Sequence, residues 1–250
     1  SQKHKYVALY INGEYWGLYA LRELHSEEHF ASYMDVPVSS VSMYRDMTYL
    51  SPLNTLYRYV DEGGSFQTEA GWEYAKSYLD MNSFADWIIL QAYVSNVDIL
   101  GNTRYYHTTT DGLWRIGLVD LDLGMFNKNC FDAVTGTLHH GLMMSALLKN
   151  EEFQDLIASR LAELLAGPLS DEEMISTIEM LASSIREEMP LEKERWGGSA
   201  QQWERMVTQL KSYCDGNAVR MINSLCDSIS LTKEKRQQYF GDILSTYNET

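Results

Sequence analysis

No apolar run in this chain approaches the roughly 18–20 residues that cross a bilayer as a helix. The longest, Trp87–Leu90 and Gly141–Leu148, are short, so no membrane span is expected. No signal peptide is expected in this stretch either, because it opens Ser-Gln-Lys-His-Lys and passes directly into a strand pattern. The opening also lacks an initiator Met, which points to a segment excised from a longer protein. Basic residues are few: 20 Lys and Arg stand against 35 Asp and Glu, for a net charge of −15. That field repels phosphate backbones and argues against nucleic acid as a partner. A phosphate-bearing ligand would need a metal cation beside it. Cysteine is scarce, and Cys130, Cys214 and Cys226 form an odd set without a CxxC pair. If one helix carries Cys214 and Cys226, they stand about 18 Å apart and cannot bridge.

What remains is ample for a core. The chain has 250 residues, 45% of them hydrophobic and 22% charged. That suits one large domain or two small ones without a metal or disulfide staple. Residues 6–11 and 14–22 read as a hairpin about Asn12-Gly13, the dipeptide a two-residue type I′ turn prefers. A two-residue turn sets Leu9 against Trp16 and Val7 against Leu18 on the apolar face. Tyr6, Tyr10, Tyr15 and Tyr19 line the other face, and Glu23 ends the second strand. A short strand, Val41–Arg45, follows. Helical periodicity then takes over. Ser83 with Asp86 marks the start of a buried helix to about Val97. Asn150 starts a second helix that stops at Gly167-Pro168, and Ser170 a third that ends at Pro190. A long pattern runs from about Gln201 to Ser228. The layout is α+β: a small β-rich part over 1–50 and a larger helical part over 51–250, with a hairpin at 103–120.

The chemistry concentrates in Asn96-Val-Asp98-Ile-Leu-Gly-Asn102, then Arg104-Tyr-Tyr-His-Thr, Asp111-Gly112, and Asp120-Leu-Asp122-Leu-Gly124. A hairpin turning at Asp111-Gly112 pairs Thr110 with Leu113 and, counted outward, Thr103 with Asp120. Paired strands lie about 4.8 Å apart, so the Asp98–Asn102 loop comes beside Asp120 and Asp122. Asp98, Asp120, Asp122 and Asn102 would then make an all-oxygen, anionic site of the kind Mg²⁺ or Mn²⁺ prefers. The same residue types equally suit loop caps and turns, and Asp111 is turn chemistry. The spacing is similar to that of protein kinases, in which one Asp accepts a hydroxyl proton while an Asn and a later Asp hold metal, but the later element here is Asp120-Leu-Asp-Leu-Gly in place of Asp-Phe-Gly.

With these blocks in view, the sequence resembles the spore-coat protein H (CotH) kinase family. The resemblance rests on Tyr6-Val-Ala-Leu-Tyr-Ile-Asn-Gly-Glu-Tyr-Trp-Gly-Leu-Tyr-Ala-Leu-Arg-Glu23, on Asp98 through Asn102-Thr-Arg-Tyr-Tyr, on Val119-Asp-Leu-Asp-Leu-Gly124, and on Arg195-Trp196 with a helix containing Trp203 and Arg220. It implies an atypical protein-kinase-like fold across 1–250, with a small β-rich N-terminal lobe and a larger, mainly helical C-terminal lobe. It also implies transfer of the ATP γ-phosphoryl group to protein Ser or Thr with Mg²⁺ or Mn²⁺. By this resemblance Asp98 is the base or the hydroxyl-orienting residue, Asn102 and Asp120 are metal ligands, and Asp122 is a second ligand or orienting group. Glu23 becomes an N-lobe acid turned to the nucleotide. The implied partner is a spore-coat or cell-surface protein, in a spore-coat or extracellular setting. Two departures stand out. Arg45, by the resemblance a contact to the nucleotide phosphates, occupies the place of a strand-ending Lys, a planar fork instead of a compact ammonium. Sequence that the family tends to carry upstream of the first hairpin is also missing. These departures motivate an alternative, a catalytically degenerate structural module on the same fold. A metal-dependent hydrolase using the same acids is a third, weaker reading.

Other features read more plainly. His25 and His29 have a spacing compatible with a metal but lack a third ligand, so a surface helix is expected. His139-His140 reads as an exposed loop pair or a gate to substrate, and Met143-Met144 as core filler. Arg195 is expected to pair with a carboxylate. Lys233–Arg236 is expected to be a solvated helix face.

Overall fold

The computed structural model describes residues 3–45, 53–99, 101–136 and 140–248. In chain order its elements are β1 (His4–Ile11), β2 (Glu14–Arg22), α1 (Glu27–Met34), β3 (Val41–Arg45), α2 (Asn54–Asp61), α3 (Glu69–Lys76) and α4 (Met81–Val94). They continue with β4 (Thr103–Thr108), β5 (Trp114–Leu118), α5 (Phe131–Thr135), α6 (His140–Leu147), α7 (Glu151–Leu165) and α8 (Asp171–Ile185). The chain closes with α9 (Met189–Trp196), α10 (Ala200–Cys214), α11 (Asn217–Ile229) and α12 (Lys233–Asn248). The class is α+β, 57% helical with small antiparallel sheets. The chain divides into two compact units. One joins Ser1–Leu24 with Gly167–Ala218, and the other joins His25–Ala166 with Val219–Thr250.

In the first unit β1 and β2 pair about Asn12 (φ 53) and Gly13 (φ 83), the doubly left-handed backbone of a type I′ turn. The expected register holds only for the first two pairs. Between Leu9 and Tyr10 it shifts by one, so Leu9 meets Gly17 and Val7 meets Tyr19. Gly17 permits the shift. Its φ of +145 is reserved for glycine, and a Cβ there would stand 2.9 Å from the Trp196 indole nitrogen. Trp16 instead lies edge-on to Trp196, and the Arg195 guanidinium sits 4.1 Å from the Trp16 ring centroid. Arg195 thus stacks on indoles where a carboxylate partner was expected. Glu192 on α9 accepts from the Leu18 N–H at 2.8 Å and the Tyr15 hydroxyl at 3.2 Å. Burial first, then that carboxylate, pushes the Tyr15 phenol up to about 12. Helices α8 and α10 are tied by Arg186–Glu204 at 2.7 Å and Lys211–Glu179 at 2.9 Å.

Helix boundaries differ from the sequence pattern at several points. Helix α8 ends at Ile185, and Pro190 sits in the first turn of α9, where its missing N–H costs nothing. The long C-terminal pattern breaks at Gly216 (φ 68) into α10 and α11. The Asp171 carboxylate holds the break by accepting from Gly216 and Ala218 N–H. Cys214 and Cys226 therefore lie on different helices, and all three cysteines are buried thiols outside any disulfide.

The second unit is built on α4, buried through Phe84, Trp87, Ile88, Ile89, Ala92 and Tyr93. Its cap is Asp80, which accepts from Ser83 N–H at 3.0 Å. Ser83 is inside the helix and uses its hydroxyl to accept from Ile116 N–H at 3.1 Å, fastening β5. Ser95, left-handed at φ 49, ends the helix, and Val97 beyond it is exposed instead of buried. Strand β4 is central in the antiparallel order β3-β4-β5. Met143 and Met144 are core, as expected. His25 precedes α1 and is buried, stacked on Phe30 at 5.5 Å, which overturns the surface reading. Burial, then His29, pushes its imidazole down to about 4. Within the basic cluster on α12, Lys235 pairs with Asp155 and Arg236 donates to Asn223. Of the His139-His140 pair, His139 lies outside the described residues. No helix among the described residues is long and apolar enough to cross a membrane.

Candidate functional site

The second hairpin sets the site. Its ladder runs from Thr103↔Leu118 to His107↔Trp114, two residues out of step with the two-residue-turn expectation. The turn is longer because Asp111 organises it. Its carboxylate accepts from Leu113 N–H at 3.1 Å and Thr108 hydroxyl at 3.3 Å, while Gly112 N–H reaches Thr108 O at 2.9 Å. A slip of two preserves which face each side chain takes. Asn102 lies one residue before the Thr103↔Leu118 pair and Asp120 two residues after it, at the same end of the ladder.

On one side of that end the chain leaves α4 through Ser95 and Asn96. Both are fully buried, and the Asn96 Oδ1 accepts the Asp98 N–H at 3.1 Å in an Asx turn. Asn102 then donates its Nδ2 to Asp98 Oδ2 at 3.0 Å and to Asp98 O at 3.2 Å. The carboxamide is thereby oriented with its nitrogen toward Asp98. Asp98 is half-buried, and its Oδ1 has no hydrogen bond among the described residues.

On the other side Asp120 adopts φ 51 and leads into a tight turn, with Gly124 N–H donating to Leu121 O at 2.9 Å. Gly124 is packed where a Cβ would stand 2.9 Å from the Val94 side chain, so the turn is pressed against the end of α4. Asp120 and Asp122 are exposed. Asn96 Nδ2 reaches Asp120 O at 3.5 Å.

Among the described residues no three His, Cys, Asp or Glu side chains assemble into a group able to hold a metal ion. The expected gathering of three carboxylates is therefore not found among the described residues; Asp98 is turned to Asn102, while Asp120 and Asp122 are exposed. The donor chemistry still fits one mode of binding. Mg²⁺ commonly takes one or two carboxylates and completes its shell with substrate phosphates and water. Asn102, Asp120 and Asp122 offer hard oxygens suited to that arrangement.

Arg45, the expected nucleotide contact, is exposed at the end of β3, directly opposite Arg104 in the ladder. Arg104 follows Asn102 by two residues, and its guanidinium donates to Thr103 O at 2.9 Å. The sequence reading gave Arg104 no role, since only the β3–β4 register reveals its pairing. Glu23 belongs to the first unit, where it accepts the Lys3 N–H at 2.9 Å and closes the open end of the hairpin.

A protein-family model described as CotH kinase protein matches residues 44–221. The matched span takes in Arg45, Asp98, Asn102, Asp120 and Asp122 and leaves out Glu23. No curated protein matches the chain.

Proposed function

The chain belongs to the CotH kinase family, and from that premise we propose that it transfers the ATP γ-phosphoryl group to a Ser or Thr hydroxyl of a protein. The observation that carries the reading is the Asp98–Asn102 pair, held at the ladder end from which Asp120 emerges, inside the matched span. Asp98 takes the proton of the attacking hydroxyl on Oδ1 while Asn102 fixes its other oxygen. The hydroxyl oxygen forms its bond to the γ-phosphorus as the bond to the bridging oxygen breaks, and ADP leaves. Asn102, Asp120 and Asp122 would hold Mg²⁺ or Mn²⁺, which neutralises phosphate charge on a chain of net charge −15. Arg45 would meet the remaining phosphate charge. We place the acceptor among spore-coat or bacterial cell-surface proteins.

The test is labelled ATP with Mn²⁺, scoring label on the chain itself and on a generic acceptor protein. The wild type incorporates label, and Asp120→Asn loses about 100-fold. A second reading, a degenerate structural module, is favoured by Arg45 and by the absence of a three-carboxylate group among the described residues. A thermal titration separates the two. Nucleotide at 100 times its Kd stabilises by about 2.7 kcal/mol. No stabilisation together with no label would replace the kinase reading by the module.

A further inference from the structure

We infer that Asn96 is a positioning residue that locks the Asp98 loop to the Asp120 turn, so that the base and the metal-binding carboxylates move as one body. The inference rests on the phosphoryl-transfer reading for its consequence, and on the hydrogen bonds of one buried side chain for its substance. Asn96 is fully buried at the end of α4. Its Oδ1 accepts from the Asp98 N–H at 3.1 Å. Its Nδ2 donates to Gln91 Oε1 at 2.9 Å and to Asp120 O at 3.5 Å. One carboxamide therefore holds the first of the two segments by its oxygen and the second by its nitrogen. Gln91, also fully buried, fixes which way round it sits.

Only a group that both donates and accepts can do this. Asp at the same position matches the shape but loses both donors, and sets a carboxylate against Gln91 Oε1 and Asp120 O. An apolar residue loses all three bonds. The surroundings reinforce the hinge. Cys130 N–H donates to the Ser95 hydroxyl at 2.8 Å, and Met125 N–H bonds Val94 O. These contacts secure the segment after the turn to α4. Asn96 adds the link to Asp98 that they do not provide.

The experiment is hydrogen exchange by mass spectrometry on the wild type and Asn96→Asp, with and without Mn²⁺ alone. In the variant, peptides carrying Asp98 and peptides carrying Asp120 both exchange faster, while those of the Thr103–Thr108 strand do not. In the wild type, Mn²⁺ slows both segments; in the variant it slows only the one carrying Asp120. Transfer by the variant falls about 10–100-fold in kcat with the KM for the acceptor protein unchanged. Faster exchange in only one segment overturns the lock. A wild type that shows no Mn²⁺ effect, beside a variant that loosens both segments, leaves the lock standing and sinks the metal reading instead. Should Asn96→Asp fail to fold, Gln91→Met keeps the volume, removes one acceptor of Asn96, and must loosen both segments to a smaller degree. If it loosens neither, the lock fails.

Discussion

Two hairpins in this chain turn on a residue followed by glycine, and they come to rest in opposite surroundings. The first, at Asn12-Gly13, keeps the tight turn its dipeptide calls for, yet its strands leave Tyr10 55% and Leu21 61% exposed. The second, at Asp111-Gly112, abandons the tight turn for a longer one, and its strand β4 buries Tyr105 completely and Tyr106 to 6%. Tyr106 stacks on Phe30 at 3.9 Å, and β4 is flanked by a strand on each side. Burial decides which hairpin can position chemistry. A two-stranded ribbon is marginal in water, whereas a central strand locked under helices fixes the residues at its ends.

The largest test of that contrast is a pair of truncations. Tyr105→Ala removes a fully buried ring and is expected to cost about 3–5 kcal/mol in urea unfolding. Tyr10→Ala gives up an edge contact to Tyr15 at a 5.5 Å ring separation and is expected to cost below about 1 kcal/mol. Equal losses would break the comparison, because the first hairpin would then be as deeply committed as the second.

The contrast also explains what could be read in advance. Element types were legible wherever a local signal acts: Asn12-Gly13 for the first turn, Asn150 and Ser170 for helix starts, and Val41–Arg45 as a strand. Register was not. Gly17 absorbs a shift because Trp196, far along the chain, leaves no room for a side chain there. Asp111 lengthens its turn because Thr108, Leu113 and Arg115 compete for its carboxylate. At the candidate site, that Asp98 and Asn102 share one loop was legible from spacing, though not the hydrogen bond between them. Asn96 and Arg104 were not, because their importance comes from partners across the ladder or at the end of a helix. His25 was misread for the same reason: only Phe30 and its neighbours bury it.

A pair of glycine substitutions gives a medium effect. At Gly124 an added methyl meets Val94 and the Leu121 carbonyl, so Gly124→Ala is expected to cost about 1–3 kcal/mol and to weaken Mn²⁺ binding as the Asp120 turn shifts. At Gly13 the space is open and only φ +83 resists, so Gly13→Ala is expected to cost about 1 kcal/mol and to leave Mn²⁺ binding unchanged. A loss of Mn²⁺ affinity in Gly13→Ala would tie the first hairpin to the site after all.

The smallest effect separates the two turns by acid. The hydrogen bond from Arg115, the largest influence, holds the Asp111 carboxyl down at about 2, below its usual 3.8. Arg115 is shared with Asp80 at 2.9 Å, so the turn and the cap of α4 hang on one guanidinium. A depressed carboxyl favours the folded state above its unfolded value, and that contribution fades as pH falls from about 4 toward 2. Because Asp111 sits on an exposed turn, solvent screening limits the effect to about 0.5–1 kcal/mol. Asp111→Asn should therefore lower stability at pH 6 by that amount and flatten the fall between pH 4 and 2. The Asn12-Gly13 turn holds no such acid, so Asn12→Asp should leave the acid limb of the second unit as it is. If Asp111→Asn retains the full acid sensitivity of the wild type, the second turn is shaped by its backbone alone, and the distinction between the hairpins reduces to burial.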